Sequence, residues 1–238
     1  MKILIYNEGF HDKTDAVKAV YPNGIHGRLA DIFCEDGHEV VIATLDDVAE
    51  VFTEELVNSA DLICWWGHIK HSLVPDNVVD YVQNAVLGGA GFIALHSAHL
   101  SKPFKRLMGT ACTLRWRDDD RERIWVTAPS HPIAAGIPES FELPNEEMYG
   151  EYFDIPTPDE IVFMGWFAGG ELFRSGCTFT RGLGKIFYFQ PGHETYPSFN
   201  NEFVTKILKN AALWAGKKAP GTAPVCIHAK ESPESLIK

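Results

Sequence analysis

The chain lacks the usual devices for holding phosphate. No G-x-G-x-x-G follows its first apolar run, and no P-loop occurs anywhere. No nucleotide cofactor is therefore expected. Positive charge is scarce: 21 Lys and Arg stand against 32 Asp and Glu, a net −11 at neutral pH. Such a balance argues against an extended phosphate-binding surface, and so against nucleic acid as a partner. The five cysteines (Cys34, Cys64, Cys112, Cys177, Cys226) are odd in number, scattered, and form no C-x-x-C pair. That usage favours a reducing compartment, with cysteine acting as a small hydrophobe. No apolar run is long enough to span a bilayer, and Met1–Tyr6 runs straight into a strand without the parts of a secretory signal. A soluble cytoplasmic protein is expected. Neither an internal repeat nor an H-E-x-x-H metal motif is present.

What is present is an ordinary globular composition, 45% hydrophobic over 238 residues, with 12% aromatics. This is enough for one large α/β domain over 1–216, followed by a tail, 217–238, rich in Pro, Lys, Gly and Ser. Short apolar runs at Lys2–Tyr6, Glu39–Thr44, Asp61–Trp66 and Gly91–Leu95 alternate with helical periodicity at Ile25–Glu35, after Thr53, at Pro75–Leu87 and at Lys102–Met108. That alternation is the signature of a doubly wound, mostly parallel sheet. After Gly109 the texture changes. Ala111–Trp116 and Arg123–Val126 read as two strands joined by a charged, solvated hairpin at Asp118–Arg121. Further strands follow at Ile161–Phe167, Gly176–Thr180 and Lys185–Gln190, and a closing helix at Asn201–Trp214. Arg115 and Arg117 share a strand face and are expected in salt bridges.

The run Gly91-Phe92-Ile93-Ala94-Leu95-His96-Ser97-Ala98-His99 organises the rest. An apolar strand stops at a polar residue flanked two positions away by Ala94 and Ala98, as a sharp strand-to-helix elbow requires. His96 is then the exposed tip. In open parallel sheets, ligands gather beyond the carboxyl ends of the strands. Those ends deliver Asn7, Glu8 and His11; Trp66, His68 and His71; His96, Ser97 and His99; and Gln190, His193 and Glu194, which takes in six of the ten histidines. Glu146, Glu147 and Glu151 lie in a carboxylate-rich loop that could cover the edge. His11 and His71 read as surface loop residues, and His99 as a packing or capping residue.

Two chemistries suit this set. One is a divalent metal, zinc first, held by imidazoles and a carboxylate from His68, His96, His193 and Glu147. The other is metal-free acid–base work by His96 and His193 with Glu147 or Glu151. A hydrolase using Ser97 with His193 is a third reading, weakened by the bulky neighbours Leu95 and His99.

With these residues in view the chain resembles the ThuA-like (trehalose-utilisation) proteins of the class I glutamine amidotransferase-like superfamily. The residues carrying the resemblance are Trp65-Trp66-Gly67-His68, Ala94-Leu95-His96-Ser97, Ser130-His131-Pro132-Ile133, Glu147-Met148-Tyr149-Gly150-Glu151 and Tyr188-Phe189-Gln190-Pro191-Gly192-His193-Glu194. The resemblance implies a flavodoxin-like sheet with added antiparallel strands. Amidotransferases place a cysteine at the elbow, in G-x-C-x-G. Here the elbow residue is His96 and the nearest cysteine is Cys112, so glutaminase activity is not expected. The resemblance also implies a role in disaccharide catabolism through 3-keto intermediates, beside a partner sugar dehydrogenase. His96, His193 and Glu147 would supply base and ligands, Ser97 and Glu194 would contact the substrate, and Trp66 or Tyr149 would stack on a sugar face. A homo-oligomer is expected. The competing reading is a non-catalytic sugar sensor on a degenerate amidotransferase-like fold.

Overall fold

The computed structural model describes residues 1–217 and 228–236; of the expected tail, 218–227 and 237–238 lie outside the described residues. Nine strands form one sheet: β1 (Lys2–Asn7), β2 (Glu39–Thr44), β3 (Leu62–Trp66), β4 (Gly91–Leu95), β5 (Arg115–Val126), β6 (Ser140–Gly150), β7 (Glu160–Phe167), β8 (Leu172–Arg181) and β9 (Gly184–Phe189), in the order β2-β1-β3-β4-β9-β8-β7-β5-β6. The helices are α1 (Asp15–Val20), α2 (Gly24–Cys34), α3 (Val48–Val51), α4 (Glu54–Ser59), α5 (Asp76–Leu87), α6 (Lys102–Met108) and α7 (Glu202–Ala215).

The expectation of a mostly parallel sheet gives way to a mixed one. β2, β1, β3, β4 and β9 pair in parallel, whereas β9/β8, β8/β7, β7/β5 and β5/β6 are antiparallel. Connection length is the reason. A parallel return needs a crossover of about a dozen residues or more. Only Gly182-Leu183 separates β8 from β9, and Ala168–Glu171 separates β7 from β8; such links close hairpins.

The parallel strands bury both faces. On one, Leu4, Tyr6, Trp65 and Phe92 pack with Val78, Val79, Val82 and Val86 of α5. On the other, Ile3, Ile5, Trp66 and Ile93 pack with Ile25, Leu29 and Phe33 of α2 and with Ile207 and Leu208 of α7. The period-two alternation of side chains sends successive residues to opposite cores. Local signals set the helix ends. Thr53 Oγ1 accepts from the Leu56 N–H at 3.2 Å, and Asn201 Oδ1 accepts from Phe203 N at 2.9 Å and Val204 N at 3.3 Å; these are N-caps that satisfy orphan donors of the first turn. Among the described residues no helix is long and apolar enough to cross a membrane.

Two sequence expectations are corrected here. The charged segment Asp118–Arg121 does not turn. It runs through β5 as a single bulged strand, with register shifts between Arg117 and Asp120 and between Asp120 and Glu122. Its charges find partners: Arg117 pairs with Glu171 at 2.7 Å and with Asp120, Asp120 accepts from Ala168 N at 3.1 Å, and Arg121 reaches Glu142 at 3.5 Å. Asp118 and Asp119 remain exposed, so the segment is solvated as expected but is strand and not turn. The stretch read as a carboxylate loop is strand for most of its length, since Glu146, Glu147 and Tyr149 lie on β6. It pairs with β5 through Trp116 opposite Tyr149 and Arg117 opposite Met148.

Candidate functional site

The site forms where the carboxyl ends of β1, β3, β4 and β9 meet the far end of β6. At the end of β4 the backbone bends at His96, which has φ +53°. A left-handed non-glycine residue costs on the order of 1–3 kcal/mol. His96 is not the exposed tip that the elbow suggested: the Tyr149 ring on β6 covers it, it is fully buried, and it is held through both ring nitrogens. Nδ1 donates to the Gln190 carbonyl at 2.9 Å, and Nε2 stands 3.0 Å from Glu147 Oε2. That approach lies off the N–H axis, since Glu147 Oε2 has no aligned hydrogen bond, so the contact is an ion pair. Burial alone would lower the His96 pKa, but the Glu147 carboxylate, with Glu146 and the Gln190 carbonyl, outweighs it and raises the pKa to about 9. Burial likewise works against the charge on Glu147, yet His96 holds its carboxyl below the usual range.

The neighbours are placed by β6 and by the turn after β9. The Tyr149 ring stacks on His96 with centroids 5.1 Å apart, and its hydroxyl is 2.9 Å from Ser97 Oγ. Ser97 therefore engages Tyr149, and no bond to His193 is formed. His193 Nδ1 accepts from Thr195 N at 3.3 Å, which leaves the ring proton on Nε2. Burial, and next the His96 charge, lower its pKa. Burial takes His68 down to about 4 against the pull of Glu194. Glu146, fully buried, fastens the turn by accepting from Gly192 N at 3.0 Å and His193 N at 3.2 Å. Gly192 has φ +137°, and a Cβ there would meet Phe199 at 2.4 Å, so glycine is required. His99 packs as expected: Nδ1 donates to the Cys112 carbonyl at 2.6 Å, and burial drives its pKa to about 3.

A cleft of about 470 Å³ opens over these groups. Its floor carries His68, Ser97, His99, Glu147, Tyr149 and His193, and its walls include Ile69, Leu100, Leu114, Trp116 and Asp118. The structure thus brings together His68, His96, Ser97, Glu147, Tyr149, His193 and Glu194. Two expected residues stand apart. Trp66 is fully buried and donates through Nε1 to the Gly192 carbonyl at 2.9 Å, so it offers no face to a sugar. Glu151 is engaged by Arg174, 2.8 Å from both Nε and Nη2, and accepts from Phe153 N at 2.7 Å. The sequence reading missed Trp116 and Asp118 of β5, which line the cleft. His11, placed at the sheet edge by the sequence but read as a surface loop residue, is instead half-buried, with Nε2 3.5 Å from His68 Nδ1.

Comparison with known proteins gives a consistent result. Residues 2–215 match the ThuA family, described as trehalose utilisation. No curated protein matches the sequence. Among solved structures, a ThuA-like protein of Parabacteroides merdae is similar at 13% identity and TM-score 0.65, over 94% of this chain and 96% of that one. A cytoplasmic protein of Salmonella typhimurium is similar at 12% identity and TM-score 0.64, over 92% and 100%. The fold also recurs within a β-galactosidase of Rahnella, at 10% identity and TM-score 0.57, over 89% of this chain and 31% of the enzyme. At these identities the likenesses speak for the fold. The family match spans nearly the whole chain, and the chain belongs to the ThuA, or trehalose utilisation, family.

Proposed function

We propose that the protein cleaves or isomerises a 3-keto disaccharide by proton transfer beside the ketone. The observation that carries this reading is the His96–Glu147 ion pair, 3.0 Å apart, in which Glu147 lines a cleft shared with His68, His193 and Tyr149 while His96 lies buried behind it. A ketone at C3 acidifies the adjacent C–H, and a positioned carboxylate can accept that proton while N–H and O–H donors stabilise the enolate oxygen. Glu147, kept ionised by His96, takes the base role. His193 supports the donor role, because Thr195 keeps its proton on Nε2 and burial keeps the ring neutral. A neutral imidazole can polarise a carbonyl without carrying full charge. Trp116, 63% exposed at the cleft wall, offers the stacking face that Trp66 does not. The same reading takes the five parallel strands, in the order β2-β1-β3-β4-β9, as the flavodoxin-like half implied by the resemblance.

The expected zinc set of His68, His96, His193 and Glu147 converges only in part. Ligand-type atoms of His68, His96 and Glu147 lie within 4.8 Å of one another, while His193 groups with Glu147 and Asp118. The 3.0 Å between His96 Nε2 and Glu147 Oε2 is shorter than the edge of about 3.3 Å between two ligands of tetrahedral zinc. The pair fits an imidazolium–carboxylate contact better than a shared metal, and no step is routed through a metal there. Incubation with a 3-keto disaccharide, followed by product analysis for wild type and Glu147→Gln, tests the proposal. Turnover by wild type alone supports it. Tight binding without turnover would overturn it in favour of a sugar sensor.

A further inference from the structure

A second group of donors lies beside the cleft, just past the carboxyl ends of β1, β3 and β9. His11 Nε2 is 3.5 Å from His68 Nδ1, His68 Nδ1 is 3.5 Å from Glu194 Oε1, and His11 Nε2 is 3.9 Å from that same oxygen. A triangle with these edges has a circumradius of about 2.1 Å, so a single point stands one zinc–nitrogen or zinc–oxygen bond length from all three atoms. We propose that His11, His68 and Glu194 form a divalent-cation site, for zinc or a neighbouring first-row metal.

The surroundings support it independently. A proton can bridge only one edge of such a triangle, whereas a cation takes a lone pair from each corner. His11 Nδ1 and Glu194 Oε2 are buried with no hydrogen-bond partner, so the polar groups around the triangle are not satisfied by protein contacts alone. Behind His11, Glu8 Oε1 stands 3.9 Å from Nδ1. Glu8 is itself fixed by the backbone N–H groups of His68, Ile69 and Lys70 at 2.9, 3.0 and 2.8 Å. At that distance Glu8 is not a hydrogen-bond partner of His11 but a fixed negative charge on its far side, which favours a cation at the ring. On the other side, His193 Nε2 lies 3.7 Å from Glu194 Oε2. Two imidazoles and one carboxylate, with positions left open, are the donor set of catalytic rather than closed structural zinc.

The site differs from the sequence expectation in using His11 and Glu194 in place of His96, His193 and Glu147. It stands whether or not the acid–base reading holds. His68 gives Nδ1 to the cation and lines the cleft, so the metal would fix the tautomer of one cleft imidazole and leave its Nε2–H as a donor.

The test uses the full chain stripped by chelator, titrated with Zn²⁺ by calorimetry and with Co²⁺ by visible absorption. One equivalent per chain, with the ligand-field bands of nitrogen- and oxygen-bound Co²⁺, is expected. His11→Ala and Glu194→Gln should each weaken binding by on the order of a hundredfold or more, while Glu147→Gln keeps one equivalent. Circular dichroism of the metal-free variants reports folding, and His11→Gln replaces His11→Ala if the latter does not fold. Absence of stoichiometric binding by wild type would overturn the proposal. So would binding that survives His11→Ala and Glu194→Gln but is lost in Glu147→Gln. Loss of turnover in Glu147→Gln with metal retained would leave both proposals standing; loss of metal in His11→Ala bears on the cation site alone.

Discussion

Replacing Glu147 by Gln removes the charge that keeps His96 protonated inside the protein. The ordinary histidine pKa near 6.5 rises to about 9 in the folded state. At about 1.4 kcal/mol per pH unit, that rise corresponds to about 3 kcal/mol of pH-dependent stability. Because the folded value is the higher one, this contribution is complete below pH 6.5 and disappears as pH climbs through 9. Wild-type stability should therefore lose about 3 kcal/mol from this one pair between pH 6 and 10. In Glu147→Gln only Glu146 and the Gln190 carbonyl still oppose the burial of His96, so its pKa falls and the loss of stability between pH 6 and 10 shrinks. Urea denaturation of both proteins at a series of pH values measures the difference, with equal m-values confirming a common unfolded state. Parallel pH profiles for the two proteins would refute the reasoning.

The two tryptophans near the site should behave oppositely. Trp66→Phe loses a buried hydrogen bond and ring volume, costing about 2–3 kcal/mol in denaturation experiments. Trp116→Ala, at an exposed wall position, should change stability by no more than about 0.5 kcal/mol yet weaken sugar binding in calorimetry. Glu151→Gln breaks the half-exposed pair with Arg174. It should cost about 1 kcal/mol or less and leave kcat within about threefold, well short of the loss a general base would show. Glu122, fully buried against Ser175 Oγ at 2.6 Å, has its pKa raised well above the usual carboxylate value, by burial first. It disfavours folding increasingly as pH rises above 4.5, so Glu122→Gln should raise the melting temperature at pH 8 more than at pH 5.

Much of the parallel half was legible because its signals are local. The β-branched run Glu39–Thr44 is strand at the bounds the sequence suggested, and Lys102–Met108 is helix between the Ser101 cap and the left-handed Gly109. The elbow at His96 was legible from Ala94 and Ala98, both fully buried. The failures share one cause, namely partners distant in sequence. Asp118–Arg121 looked like a turn because Glu142 on β6 and Ala168 in the β7–β8 link, which meet Arg121 and Asp120, arrive later in the chain. Glu151 looked available because Arg174, its partner, sits 23 residues on. Trp66 looked like a stacking face because nothing local says that a strand end will be roofed by the turn at Gly192. His11 looked like a loop residue because its neighbours come from the ends of β3 and β9.

Glu147, paired with His96, is proposed to move a proton beside a sugar ketone. Proton NMR of a 3-keto disaccharide in D₂O reads this directly. Wild type should exchange or eliminate the proton next to the ketone well above the buffer rate, and Glu147→Gln should lose on the order of a hundredfold or more of that rate. Exchange at the buffer rate with wild type, or equal rates for the two proteins, would rule out Glu147 as the base.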